Sequence, residues 1–357
     1  MTALPSSKHE EWRWSDLSGV EAALVQAAAN DAVADTRAWR VSDGPLWVFV
    51  DGRLVERPVL GGEHRRGGQP LTEGLFAHGV ALELGAEHAA AGLIEILHFA
   101  TGGPAHIAHR YALGADAQAA VVETYVQLGD APAWANLSAD VELGRGARLM
   151  RHVRRFERVG TATETTRVSV GQGASYAGLT LLGGDASSRA ETRVSLDAPG
   201  AFAGVDGVVL AGGTAKHDVT SVITHAAPDT ASRQMWRAVA RGMGVASIAA
   251  KVAIARDAQR SNAEQSLRGL LMDRTATINA KPELEIFADD VKAGHGCAVG
   301  ELDAAALFYL AQRGVPPMRA RALMTQAFLA QALGQAGNAA VRDRFEGDAF
   351  AWLEQIA

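Results

Sequence analysis

Between residues 114 and 201 one short turn motif keeps returning: Gly114-Ala-Asp-Ala117, Gly144-Arg-Gly-Ala147, Gly171-Gln-Gly-Ala174 and Pro199-Gly-Ala201. The last three alanines are spaced 27 residues apart. A unit of that length, made of short strands and glycine turns, cannot bury its apolar face alone and must stack on its neighbours. The flanking sequence agrees. From about residue 90 to 300, apolar runs such as Leu93-Ile-Glu-Ile-Leu-His-Phe99, Ala119-Ala-Val-Val-Glu-Thr-Tyr125, Glu164-Thr-Thr-Arg-Val-Ser-Val170 and Gly178-Leu-Thr-Leu-Leu182 alternate with Gly, Asp and Ala turns. No helical period interrupts them until near residue 303. The expectation is a solenoid of β-coils. A β-sandwich, whose hairpins also give short strands between glycine turns, is the competing arrangement.

The ends read differently. Residues 15 to 40 suggest a helix, with Ser15 or Asp16 as cap and Val20, Ala23, Leu24, Ala27 and Ala28 as its apolar stripe. Trp39, Leu46, Trp47, Phe49 and Val50 then begin extended structure, broken by the hairpin pair Asp51-Gly52. The polar run Gly61–Gly68 reads as a surface loop. After residue 300 three stripes follow: Leu302, Ala306, Leu307 and Leu310; Ala320, Leu323, Met324, Ala327, Phe328 and Leu333; and Val341, Phe345, Phe350 and Leu353. The resulting division is a helical or mixed region at 1–89, a β core at 90–300 and a helical region at 301–357. Helices at a solenoid's ends are expected to cap it, since an uncovered terminal coil exposes a sheet edge.

Composition narrows the function classes. A net charge of −6 argues against nucleic acid as the main partner. With 48% hydrophobic and 21% charged residues, and no apolar run near 18 residues, the chain reads as a soluble globular protein without membrane spans. The absence of a hydrophobic leader at the start and a single cysteine predict a cytoplasmic protein without internal disulfides. The cluster Arg148, Arg151, Arg154, Arg155 and Arg158 reads as a solvated face of a strand.

Catalytic signatures are missing: no phosphate-loop motif, no His-Glu-x-x-His, no Gly-x-Ser-x-Gly and no Cys-x-x-Cys. Gly183-Gly184 and Gly212-Gly213 lack the following helix of a dinucleotide fingerprint. The stretch Lys281-Pro-Glu-Leu-Glu-Ile-Phe-Ala-Asp-Asp-Val-Lys-Ala-Gly-His-Gly-Cys-Ala-Val-Gly300 instead delivers His295 and the sole cysteine, Cys297, two residues apart. Strand alternation puts both on one face, and imidazole with thiolate suits iron, zinc or copper. Two donors do not close a site, so a metal here needs donors from elsewhere, such as a second chain. The plain alternative is a turn histidine beside a small thiol. Asp289-Asp290 reads as strand-end turn chemistry, Glu283 and Glu285 as an exposed or interface-facing row with Phe287, and His217 and His225 as structural residues.

Several longer segments carry a resemblance: Val222-Ile-Thr-His225, Ser232-Arg-Gln-Met-Trp236, Arg256-Asp-Ala-Gln259, Leu270-Leu-Met-Asp273, Ala276 through Lys292, Gly294-His295-Gly296, Val299-Gly-Glu-Leu-Asp303 and Ala306 through Gly314. The chain resembles the SufB/SufD family of iron–sulfur cluster assembly proteins, and within it the SufD branch, where a histidine occupies the His295 position. The resemblance implies a right-handed parallel β-helix core between helical regions. It implies a scaffold rather than an enzyme, pairing with SufB through the β-helix edge and docking the SufC ATPase on its C-terminal helices. An iron–sulfur cluster would be assembled transiently at the SufB interface, with His295 among its donors. Many relatives carry a cysteine two residues before the histidine. Here that position is Ala293, and Cys297 lies two residues after, so its part as a donor is open. A β-helix carbohydrate-active enzyme and a purely structural homodimer are the alternative readings, and an isolated copy could also self-pair through the edge meant for SufB.

Overall fold

Asp51 and Gly52 both adopt positive φ, 48° and 75°, the backbone of the tight hairpin that their sequence predicts. They join β1 (Leu46–Val50) to β2 (Arg53–Glu56), paired antiparallel. The computed structural model describes residues 4–5, 8–26, 35–58, 63–69, 72–88 and 92–354. The polar run expected as a loop is, over its described part, β3 (Glu63–Gln69), paired antiparallel with β4 (Thr72–Leu84). Backbone pairing with a long neighbour overrides the weak strand propensity of Gly and Arg there.

The strands that follow are β5 (Leu93–Ala100), β6 (Gly103–Leu113), β7 (Gln118–Gln127), β8 (Ala133–Leu143), β9 (Arg148–Phe156), β10 (Gly160–Val170) and β11 (Ser175–Leu182). Then come β12 (Ser187–Leu196), β13 (Phe202–Ala211), β14 (Lys216–His225), β15 (Ala231–Ala240), β16 (Val245–Ile254), β17 (Asn262–Leu271), β18 (Thr277–Ile286) and β19 (Lys292–Gly300). From β5 onward odd strands pair only with odd and even only with even, always in parallel. The chain therefore alternates between two sheets, adding one strand to each per coil. This is a parallel β-solenoid of about eight turns, and the sandwich alternative is excluded by the parallel register.

The recurring motif is a corner of the coil. Asp116, Gly146, Gly173, Gly200, Asp229 and Arg260 all sit in the left-handed region, and small residues follow, with Ala117, Ala147, Ala174 and Ala201 fully buried. The corner amides bridge successive coils: Asp116 N–H donates to Arg145 O, Gly146 N–H to Gln172 O and Gly173 N–H to Pro199 O. Inside, residues stack in columns. Leu143, Val170, Leu196, His225, Ile254 and Ile286 are successive register partners. The first five are buried, whereas Ile286, with no coil above it, is 42% exposed.

Helices cover the flanks rather than the ends. From the region expected as one helix, only α1 (Ser18–Leu24) is α-helical, and Arg37–Trp39 is a 3-10 turn; residues 27–34 lie outside the described residues. Val20 and Ala23 of α1 pack on Trp134 of β8. At the other terminus, α2 (Ala304–Gln312) leads to α3 (Pro317–Leu333) and α4 (Ala339–Glu354). Leu329, Leu333, Val341, Phe345 and Trp352 pack against Leu179, Leu181, Val208, Leu210 and Val239 on the outer face of the odd-strand sheet. The capping expectation thus fails: the apolar stripes of α3 and α4 match a broad sheet face, and among the described residues no strand pairs beyond β18 and β19.

The arginine cluster is also not a solvated face. Arg151, Arg154 and Arg155 are buried, and only Arg148 and Arg158 are exposed. β9 is covered on both sides. Arg151 and Arg155 point into the solenoid, and Arg154 points under α4, where it pairs with Asp348 at 2.5 Å.

Candidate metal-binding end of the solenoid

β19 is the terminal strand of the odd sheet, and β18 ends the even sheet on the same side. On β17 the buried residues Ala263, Gln265 and Leu267 alternate with exposed Asn262, Glu264 and Arg268. Their register partners on β19 are Ala293, His295 and Cys297. His295 and Cys297 thus share one strand face, as alternation requires, and that face continues the interior of the solenoid. Both are exposed only because the last coil has no successor. The thiol lies 3.7 Å from Ala280 O on β18, across the mouth. Ile278, Pro282, Leu284 and Ile286 line that opposite wall, in register with the interior residues Ala246, Ala250, Val252 and Ile254. The outward positions of β19 include Gly294, Gly296 and Gly300, where an added Cβ would meet nothing within 4 Å.

The remaining candidates fall elsewhere. Asp290 serves the turn before β19: its N–H donates to Gln259 Oε1 at 2.9 Å and its carbonyl accepts from Arg260 N–H at 2.6 Å. Glu283 and Glu285 sit on the outer face, 3.3 Å and 2.8 Å from Lys251 Nζ. Phe287, just past β18, is 60% exposed. His217 bonds Ser188 Oγ and Gly184 O, and His225 bonds Thr230 Oγ1 and Ser232 Oγ. Burial pushes both imidazoles down to about 4, so each is a neutral structural group at pH 7.

Deep in the first coils lies a polar cluster that sequence reading missed. Glu123 accepts from Arg151 at 2.6 and 2.8 Å, from Tyr111 at 2.7 Å and from Tyr125 at 2.8 Å. Arg151 also reaches Glu164, at 3.2 Å, and Arg155 holds Glu157 at 2.7 Å. Burial would raise the Glu123 carboxyl, but Arg151 beside it more than offsets this and holds it down at about 2. The available signal was strand parity, since Glu123 shares its face with the interior residues Val121 and Tyr125. Among the described residues no group of three or more His, Cys, Asp or Glu side chains could hold a metal ion. His295 and Cys297 thus place an imidazole and a thiol at an open mouth, with no third such group beside them among the described residues.

Comparison with known proteins bears on that mouth. The family described as "SUF system FeS cluster assembly, SufBD core domain" matches residues 100–328, which is most of the solenoid. The chain belongs to the SufBD family. It is 26% identical to the iron-sulfur cluster assembly protein SufD of Escherichia coli (strain K12) over 360 residues, covering 92% of this chain and 85% of that protein. It is 29% identical over 215 residues to the SufBD family protein slr0076 of Synechocystis, covering 60% of this chain and 47% of that one. It is also 38% identical over 128 residues to the chloroplastic protein ABCI7 of Arabidopsis thaliana, covering 36% of this chain and 27% of that one. The SufBD match takes in β19, so the strand bearing His295 and Cys297 belongs to the shared core.

Proposed function

We propose that this chain is a cytoplasmic scaffold subunit of the SUF iron–sulfur cluster assembly machinery, pairing through its open solenoid end with a SufB-type chain. The observation that carries the reading is the last coil, on which no described strand pairs: it presents two bare parallel edges and, between them, an exposed imidazole and thiol at an apolar mouth. A bare edge is a template for another strand. An incomplete donor pair at that edge is completed by the chain that pairs there. His295 acts as a donor to iron or the nascent cluster, which is the cargo of the assembly; neutral imidazole is the ligating form. Cys297 stands on the same face and supplies a second donor in place of the thiol that Ala293 lacks. The exposed side chains Phe308 and Tyr309 of α2 and Met318 of α3 support docking of a SufC-type ATPase on the C-terminal helices.

The test is co-expression of the full chain with SufB-type and SufC-type partners, affinity purification, and anaerobic iron and sulfide analysis. The expected result is a stable complex whose iron and sulfide fall when His295→Ala is introduced. A complex with undiminished iron in His295→Ala would remove the ligand role, and no complex between soluble chains would remove the scaffold reading.

A further inference from the structure

The interior column that ends at His295 is polar over its last three coils. Gln234, Gln265 and His295 are successive register partners on β15, β17 and β19. Gln234 Nε2 donates to Ser221 O at 3.3 Å and Ser221 Oγ at 3.0 Å, which leaves its Oε1 to accept. Gln265 Nε2 donates to that Oε1 at 2.6 Å and to Ala250 O at 2.9 Å. Both N–H groups of Gln265 are thereby committed, and a flipped amide would set its oxygen against two acceptors. Its own Oε1, on a side chain only 4% exposed, accepts no hydrogen bond from the described residues. The next side chain in the column is His295, one strand spacing away, about 4.8 Å.

We infer that Gln265 is the positioning residue of His295: its Oε1 accepts the N–H of one imidazole nitrogen, and so fixes the tautomer whose other nitrogen offers its lone pair at the open mouth. The inference rests on the reading of His295 as a metal donor. An amide oxygen can only accept, so the nitrogen facing it carries the proton and the other nitrogen does not. A buried acceptor left open draws the nearest donor, and His295 is the register neighbour that can supply one. Ligating histidines are commonly held by such a bond from the second ring nitrogen, and its loss weakens metal binding. The bond from Gln265 Nε2 to the Ala250 carbonyl keeps the Gln265 amide from turning away, with or without Gln234 beside it.

The experiment uses the full-length chain labelled with ¹⁵N-histidine, read by long-range ¹H–¹⁵N correlation at neutral pH. The His295 signals are identified by their loss in His295→Ala. One tautomer is expected in the wild type, a mixture in Gln265→Met, and the wild-type state in Gln234→Met, which breaks the ladder one coil deeper but keeps the acceptor. Two exchanging tautomers in the wild type would overturn the assignment, and so would a single tautomer that survives Gln265→Met. The wild-type spectrum decides even if a variant does not fold. In the complex with the partner chains, titrated with cobalt(II) as probe, Gln265→Met should weaken binding roughly 10- to 100-fold. Unchanged iron in His295→Ala beside a single wild-type tautomer would remove the donor reading of His295 while leaving the hydrogen bond in place.

Discussion

At the scale of single residues, the solenoid interior sorts its charges by whether they have partners. Arg151 is enclosed with Glu123 and Glu164, so replacing it leaves the Glu123 carboxylate without its cation in a dry interior, while Glu164 keeps Arg155 at 3.4 Å. Arg151→Leu should lower stability by about 3–5 kcal/mol in urea titrations, because the loss of one partner leaves uncompensated charge. The buried histidines act in the opposite sense. His217 and His225 are held neutral, near 4, while the unfolded chain protonates at the ordinary value of 6.5. Their folded pKa is depressed, so the unfolded state binds more protons below pH 6.5 and stability falls as pH drops from there toward 4. His217 alone should cost about 1.4 kcal/mol per pH unit across that window. Urea midpoints measured from pH 7 to pH 5 check this, and His217→Gln should flatten the decline. The arginine run itself was misread because strand parity alone does not say that both faces of β9 are covered. That fact comes from α4, whose Asp348 lies 194 residues beyond Arg154 in sequence.

At the scale of elements, the corner turn and the terminal strand use glycine for different reasons. Gly173 has φ of 61°, and an added Cβ there meets nothing, so Gly173→Ala is penalised by backbone strain alone. It should cost about 1–2 kcal/mol. Gly294 and Gly296 are not in the left-handed region and have open space outside them. Gly294→Leu and Gly296→Leu should therefore leave the melting of the isolated chain nearly unchanged, within about 0.5 kcal/mol. Both should weaken pull-down of the SufB-type partner if that face receives a closely approaching backbone. The corner was legible in the sequence because glycine and alanine recur at a fixed interval. Asp229 and Arg260 take over the same conformation later, in longer coils, and so hid the continuation of the repeat. The strand character of Glu63–Gln69 was illegible because it arises from pairing with β4 rather than from its own residues.

At the scale of the whole molecule, the two ends of the rod differ. The N-terminal end closes with antiparallel additions, β2 on β1 and β3 on β4, and β2 is only four residues long with mostly exposed, partly charged residues. The C-terminal end leaves two ten- and nine-residue edges bare. The solenoid was suggested by the local repeat between residues 114 and 201 and carried further by the family resemblance, and the His295 strand is likewise a local pattern. Where the C-terminal helices lie was not legible, because an amphipathic stripe records that a surface is covered but not which one. The asymmetry has a stoichiometric outcome. A rod with two sticky ends would grow into a fibre, whereas a rod with one can join only one other before nothing adhesive remains. Light scattering on the chain alone should accordingly detect masses up to that of two copies and none beyond, at any concentration. An equimolar SufB-type chain should compete for the same end, replacing self-association by a one-to-one pair. The short hairpins at the first coils are thus expected to act as a chain terminator, holding the assembly to a finite count.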